Sequence, residues 1–108
     1  MKRASMLTIF VVASCGAALA QSADATRGHT YAAKVCAACH AIEAAGGASP
    51  NANAPVWRDI ANTPGMTEAA LAVFLSTPHQ RMPDLVIAPA DMRDLIAYIL
   101  TLKRVPPL

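Results

Sequence analysis

Apolar side chains along the chain recur at helical spacing, and no alternating strand pattern stands out. Tyr31 and Val35, four residues apart, predict a first helix from Arg27 to about Ile42. Residues 43–65 are rich in Gly, Pro, Asn and Ser, which indicates turns and loops. The first half of the chain is therefore predicted to be one helix followed by a long irregular segment.

Two further helices are predicted in the second half of the chain. Thr67 is a good N-cap for a helix that runs to about Ser76. The last helix is predicted from about Pro89 to Arg104, with Ala88 in place of a capping Ser or Thr. The apolar stripes of these two helices are Leu71, Phe74 and Leu75 in the first, and Met92, Leu95, Ile96, Ile99 and Leu102 in the second.

Residues 1–20 have the pattern of a secretory signal peptide. Two basic residues precede an uncharged apolar stretch, which ends in a small-x-small box with cleavage predicted after Ala20. This stretch is shorter than the roughly 20 residues of a membrane-spanning helix, so no such helix is expected in the mature chain. Residues 12–15 also resemble a bacterial lipobox, which leaves a lipid anchor at Cys15 as the alternative to release.

Removal of the signal changes the charge balance. The mature chain is expected to consist of a polar lead-in at 21–26, one domain at 27–104 and a tail at 105–108. The full chain carries nine Lys and Arg and seven Asp and Glu, but two of the basic residues lie in the signal. The mature chain is therefore neutral, and the absence of a basic stripe argues against nucleic-acid binding.

Cys36 and Cys39 are separated by two residues and followed directly by His40. This pattern is typical of covalent attachment of a c-type haem. Cysteines three positions apart on the predicted helix share one face, so both sulfurs would reach one edge of a porphyrin. His40 would then place an imidazole nitrogen on the iron.

Two other uses of the cysteine pair fit less well. A thioredoxin-like redox pair requires a preceding strand and a βαβ frame, and no convincing strand is present. A structural zinc site requires four ligands, but His29 and His79 lack the spacing of a second ligand pair. An exported chain also suits haem attachment in an oxidising compartment.

The chain resembles a small bacterial class I cytochrome c over residues 27–104. The resemblance rests on the haem motif, on Met82-Pro83 before the last helix, and on Gly28 with the sequence Leu95–Ile99. It implies an all-α fold of three to four helices and long loops wrapped around one covalent haem c. It also implies that Gly28 lies where the first and last helices cross, with Tyr98 packed beside it.

The resemblance implies that Met82 is the second axial ligand of the iron, opposite His40. A thioether favours ferrous iron and raises the reduction potential relative to a second imidazole. Met82 belongs to no apolar helical stripe, which distinguishes it from core methionines. His79, three residues earlier, is the alternative ligand.

Two loop residues complete the haem site that the resemblance implies. Pro55 matches the proline whose carbonyl accepts a hydrogen bond from the proximal imidazole, and Pro50 is the rival position. Trp57 follows Pro55 closely and would pack on the haem or reach a propionate. The expected haem-binding set is therefore Cys36, Cys39, His40, Pro55, Trp57 and Met82.

Iron held by both His40 and Met82 has no position open for a substrate, which predicts an electron carrier rather than an enzyme. The resemblance implies periplasmic or membrane redox partners, such as a dehydrogenase, a bc-type complex or an oxidase. The near alternative is a dedicated haem subunit of one periplasmic dehydrogenase. The distant alternative is a haem sensor or peroxidase with an open iron site.

Overall fold

The computed structural model describes residues 8–14, 16, 22–77, 82 and 85–104. In that part of the chain the secondary structure consists of four helices without strands, which confirms the predicted all-α architecture. The helices are α1 (Ala25–Val35), α2 (Trp57–Ala61), α3 (Glu68–Ser76) and α4 (Pro89–Thr101). Cys15, the cleavage position after Ala20 and the 105–108 tail lie outside the described residues.

The N-terminus of α1 is tied to α4 through Asp94. Asp24 caps α1 by accepting a hydrogen bond from the backbone of Arg27 at 3.0 Å, so the helix begins two residues before the predicted start. The buried Asp94 carboxylate accepts from the Asp24 backbone and from Arg27 Nε, both at 2.8 Å. The hydrogen bond from Arg27 lowers the pKa of Asp94 most, and the bond from the Asp24 backbone lowers it further. Asp94 therefore stays ionised and joins the two helices.

α1 ends at Val35, before the cysteine motif, whereas its spacing predicted a helix to about Ile42. The backbone amides of Cys36 and Ala37 both donate to the carbonyl of Ala32, at 2.8 and 2.9 Å. This shared acceptor closes the helix. The prediction that both cysteines lie on a helix is therefore wrong, because they lie in the turn that follows.

The segment predicted as loops contains one short helix, α2, that the sequence pattern missed. Its first residue, Trp57, donates its backbone amide to the carbonyl of Ala41 at 3.0 Å. Trp57 and Ala61 are buried at its two ends. Five residues are too few for a periodic pattern, and the long-range contact to Ala41 is invisible in the local sequence.

α3 has the predicted bounds, and its N-cap is confirmed. The Thr67 side chain accepts from the backbone of Ala70 at 3.1 Å, and the helix ends at Ser76. The predicted apolar stripe is only partly buried: Leu71 lies in the core, whereas Phe74 is 53% exposed. α3 therefore packs on α4 with one edge of its apolar surface.

α4 begins at Pro89 as predicted, and Ala88 provides no side-chain cap. The helix ends at Thr101, three residues before the predicted end. The Asn62 side chain donates to the carbonyl of Leu102 at 3.0 Å and accepts from the backbone of Arg104 at 2.7 Å. These bonds, from a residue 40 positions away, turn the chain out of the helix.

α1 and α4 cross at Gly28, as the family resemblance implied. A Cβ built on Gly28 would meet the carbonyl oxygen of Asp94 and would lie 2.9 Å from the Cβ of Tyr98. A glycine is therefore required by the close approach of the two backbones. The core around this crossing consists of Ala32, Cys36, Ile42, Trp57, Ala61, Met66, Leu71, Leu95, Ile96, Tyr98, Ile99 and Leu102.

Candidate haem site

The cysteine motif forms a tight turn directly after α1. The backbone amides of Cys39 and His40 both donate to the carbonyl of Cys36, at 3.1 and 3.0 Å. Both cysteines are free thiols, with Cys36 buried and Cys39 half-buried. The turn, rather than a helix face, therefore brings two thiols and one imidazole together within five residues.

The environment of Cys36 is apolar. Burial raises the pKa of its thiol to about 11, so the sulfur is protonated at neutral pH. A redox-active or metal-binding cysteine functions as a thiolate, which requires the opposite shift. The surroundings of Cys36 therefore suit the apolar edge of a porphyrin better than a dithiol redox site.

His40 has one ring nitrogen engaged by the protein. Its Nδ1 lies 2.7 Å from the carbonyl oxygen of Pro55. Because a carbonyl only accepts, Nδ1 carries the proton, and in the neutral ring Nε2 keeps the lone pair that a metal requires. The structure thus gives this contact to Pro55 rather than to the rival Pro50.

The loop that contains Pro55 wraps around the cysteine motif. Asn51 donates its backbone amide to the carbonyl of Cys39 at 3.1 Å, and Ser49 Oγ accepts from the backbone of Ala41 at 3.0 Å. Trp57, at the end of the loop, is buried with its ring centroid 6.1 Å from that of His40. The loop therefore holds both Pro55 and Trp57 against the motif.

Several contacts behind the motif escaped the sequence analysis. The Tyr98 hydroxyl donates to the carbonyl of Ile42 at 2.7 Å. His29 Nε2 lies 2.7 Å from Glu43 Oε1, and its ring meets that of Tyr98 edge-on at 5.0 Å. These pairs lie far apart in sequence, and helical spacing gives no signal for them.

The residues present fit a haem. Two free thiols and an imidazole with a free Nε2 are the donor set that covalent attachment and axial ligation require. Arg58 Nε, next to Trp57, is buried without a hydrogen-bond partner, so it would suit an anionic group such as a propionate. Bound haem c would supply an iron that exchanges single electrons.

Met82 lies half-buried, but its neighbours on both sides lie outside the described residues. His79 and Arg81 belong to that undescribed part. The structure therefore leaves the position of Met82 relative to His40 untested. The axial ligation by Met82 stays a prediction.

Comparison with known proteins decides the family. A family model described as cytochrome c oxidase, cbb3-type, subunit III, matches residues 23–99. The chain belongs to this family of cytochromes c. The cytochrome is 36% identical over 101 residues to cytochrome c-552 of Bradyrhizobium diazoefficiens, a match that covers 94% of each chain. No solved structure gives a significant match.

Family membership makes the cytochrome a single-haem electron carrier with covalently bound haem c. Within the described ranges, no three His, Cys, Asp or Glu side chains come together as a metal-ion site. None of the helices described above is long and apolar enough to cross a membrane.

Proposed function

We propose that the cytochrome is exported and carries single electrons on a haem attached to Cys36 and Cys39, with iron held by His40 and Met82. The observation that carries the proposal is the hydrogen bond from His40 Nδ1 to the carbonyl of Pro55. This bond fixes the ring tautomer with Nε2 free, orients the imidazole and makes it a better donor to iron. His29 lies on α1 outside the cysteine motif, and its Nε2 lies 2.7 Å from Glu43 Oε1.

Ligation by both His40 and Met82 implies electron transfer without catalysis. With both axial positions filled by protein, the iron changes oxidation state without changing ligands, and no substrate or gas reaches it. Met82 is half-buried, which suits a side chain placed against a cofactor. Its thioether stabilises the ferrous state and so sets a relatively high reduction potential.

The proposed location is the periplasm, with release after cleavage rather than a lipid anchor at Cys15. The apolar side chains of residues 9–12 are 78–88% exposed and take no part in the core. Such a stretch behind two basic residues is expected of a signal that is removed. Export also places the cysteine pair where haem attachment occurs.

Replacement of Met82 by alanine tests the axial ligand. We expect Met82→Ala to retain covalent haem, lower the reduction potential within the roughly 0.8 V range that axial ligands span, and bind carbon monoxide when reduced. The wild-type protein is expected to show a thioether-to-ferric charge-transfer band and no response to carbon monoxide. Absorption spectra of both redox states, with and without carbon monoxide, measure all of these.

Met92→Ala is the matched control, because Met92 packs against the core from α4. It is expected to keep the thioether band and the inert iron. A Met82→Ala protein that stays six-coordinate and inert to carbon monoxide would mean that another residue, such as His79, holds the iron. Carbon monoxide binding by the wild-type protein would instead favour a sensor or peroxidase.

Electron exchange is proposed to occur through an uncharged surface around the motif. The chain has no Asp, Glu, Lys or Arg between Lys34 and Glu43, or between Glu43 and Arg58. The hydrogen bond between Asn51 and the carbonyl of Cys39 joins these two segments. We call five of their exposed members the uncharged surface: Val35, Ala38, Asn51, Ala52 and Asn53.

The proposed partners are periplasmic or membrane redox enzymes that dock with the uncharged surface. The family description names a subunit of a cbb3-type oxidase, which supports an oxidase as electron acceptor. A dehydrogenase or a bc-type complex is the proposed donor. A small uncharged contact suits brief encounters better than a permanent complex, which favours a shuttle over a dedicated dehydrogenase subunit.

Electron self-exchange between two copies of the cytochrome tests this surface. We expect the wild-type rate, measured by NMR on mixed oxidised and reduced protein, to change less than about twofold with ionic strength. Ala38→Lys should slow exchange about threefold at low salt, because like charges then meet at contact distance, and salt should restore it. Ala69→Lys adds the same charge on α3 and should leave the rate unchanged. Equal slowing by both variants would refute docking at the uncharged surface.

A further inference from the structure

Three consecutive residues, His40 to Ile42, are each held by a different contact. The His40 ring donates to the carbonyl of Pro55 at 2.7 Å. The carbonyl of Ala41 accepts from the backbone of Trp57 at 3.0 Å. The carbonyl of Ile42 accepts from the Tyr98 hydroxyl at 2.7 Å. The first two contacts come from residues 55–57, where the loop enters α2, and the third comes from α4.

The side chain of Tyr98 is itself held firmly. It is buried, with its ring centroid 6.2 Å from that of Trp57 and 5.0 Å from that of His29. Burial, and then the nearby Glu43 charge, raise the pKa of Tyr98, so its hydroxyl remains protonated and able to donate. The hydrogen bond to Ile42 therefore persists across the neutral and moderately alkaline range.

The same segment is held at its far end. Glu43 follows Ile42 directly, and its carboxylate is hydrogen-bonded to His29 on α1 at 2.7 Å. The segment after the cysteine motif is thus joined to both helices of the α1–α4 crossing. No other hydroxyl in the described residues reaches this segment from α4.

We infer that Tyr98 is a positioning residue for the axial imidazole: by holding Ile42, it keeps His40 in register with the carbonyl of Pro55. This inference rests on the proposed role of His40 as an iron ligand. Hydrogen bonds weaken steeply as they lengthen or bend, so small shifts of the His40 backbone would loosen the contact of Nδ1 with Pro55. A looser contact makes the imidazole a weaker donor to ferric iron.

Tyr98→Phe in the haem-containing protein tests the inference, because it removes only the hydroxyl and keeps the ring at the helix crossing. We expect the Nδ1 proton of His40, followed by NMR in the reduced protein, to exchange with solvent about tenfold faster. Tenfold corresponds to about 1.4 kcal/mol, the scale of one buried hydrogen bond. The reduction potential should rise, because ferric iron loses part of its stabilisation.

Thr101→Val is the matched control, because its hydroxyl bonds only within α4, to the carbonyl of Tyr98. It should change neither the Nδ1 exchange nor the potential. The inference fails if Tyr98→Phe leaves both values at wild-type levels. It also fails if the backbone amides of Leu95 and Ile96 accelerate as much as the Nδ1 proton, since that result means a purely structural role.

The inference and the proposed function fail separately. If carbon monoxide binds the wild-type protein, the ligation by Met82 is refuted, but the Nδ1 exchange of His40 remains measurable in the protein with carbon monoxide bound. If the wild-type iron is closed and Tyr98→Phe has no effect, the proposed function stands and only the positioning role of Tyr98 is lost.

Discussion

Replacement of both Cys36 and Cys39 by serine is expected to abolish covalent haem and, with it, most of the folded protein. The described core is small and built around a few helices, and a buried haem adds a large apolar surface to it. Each single variant should reduce covalent haem rather than abolish it, because the remaining cysteine can still form one thioether bond. Haem staining after denaturing electrophoresis, with the intact mass of the secreted protein, measures attachment directly.

Cys15→Ser is the natural control, because it removes the same chemical group from the predicted signal segment. It should leave haem attachment unchanged whether the chain is released or lipid-anchored, and a change in membrane association alone would indicate lipidation. Full covalent haem in the Cys36→Ser/Cys39→Ser protein would contradict the proposed attachment. The wild type and every variant must be expressed in cells that attach c-type haem.

The local features of this fold were predictable because their causes are local. Thr67 caps α3 through its own side chain, and the cysteine motif needs only five residues to be recognised. Gly28 and Tyr98 were located through the family resemblance, and the structure shows the close backbone approach that explains them. For Thr67 and the cysteine motif, the sequence signal and its physical cause lie within a few residues, whereas the Gly28 crossing joins two helices and was located only through the resemblance.

The features that escaped prediction depend on contacts across the chain. The predicted α1 was too long, because Cys36 and Ala37 continue a sequence pattern compatible with a helix. In the structure, the backbone amides of both residues donate to the carbonyl of Ala32, which ends the helix. α4 ends early because Asn62, 40 residues away, binds the carbonyl of Leu102. The local sequence gives no signal for these helix-ending hydrogen bonds, because each partner residue is also compatible with the structure predicted around it.

The features of the haem site also separate into those with local causes and those that depend on contacts across the chain. The thiols and the imidazole follow from the motif, whereas the choice of Pro55 over Pro50 depends on how the loop folds back onto His40. Tyr98 was expected beside Gly28, but its hydroxyl contact with Ile42 requires that α4 and the segment after the motif meet. The positioning of the site is thus a tertiary property, although its ligand types are local.

Gly28→Ala is expected to be the most destabilising single methyl addition on α1. Alanine in a helix normally gains about 1 kcal/mol over glycine. Here its Cβ would meet the backbone carbonyl of Asp94 and lie 2.9 Å from the Cβ of Tyr98, and backbone atoms cannot move aside cheaply. Overpacking of this kind costs about 3 kcal/mol, so we expect a net loss of about 2 kcal/mol.

For a domain of this size, that loss lowers the melting temperature of the haem-containing protein by about 10 °C. Ala33→Ser adds one atom on the exposed side of α1 and should stay within about 0.5 kcal/mol of wild type. If the Gly28→Ala protein is as stable as the wild type, α1 and α4 must be able to move apart without a loss of stability. We do not expect this result, because moving apart would also break the hydrogen bonds of Asp94 with Asp24 and Arg27 and so should cost more than the methyl clash alone.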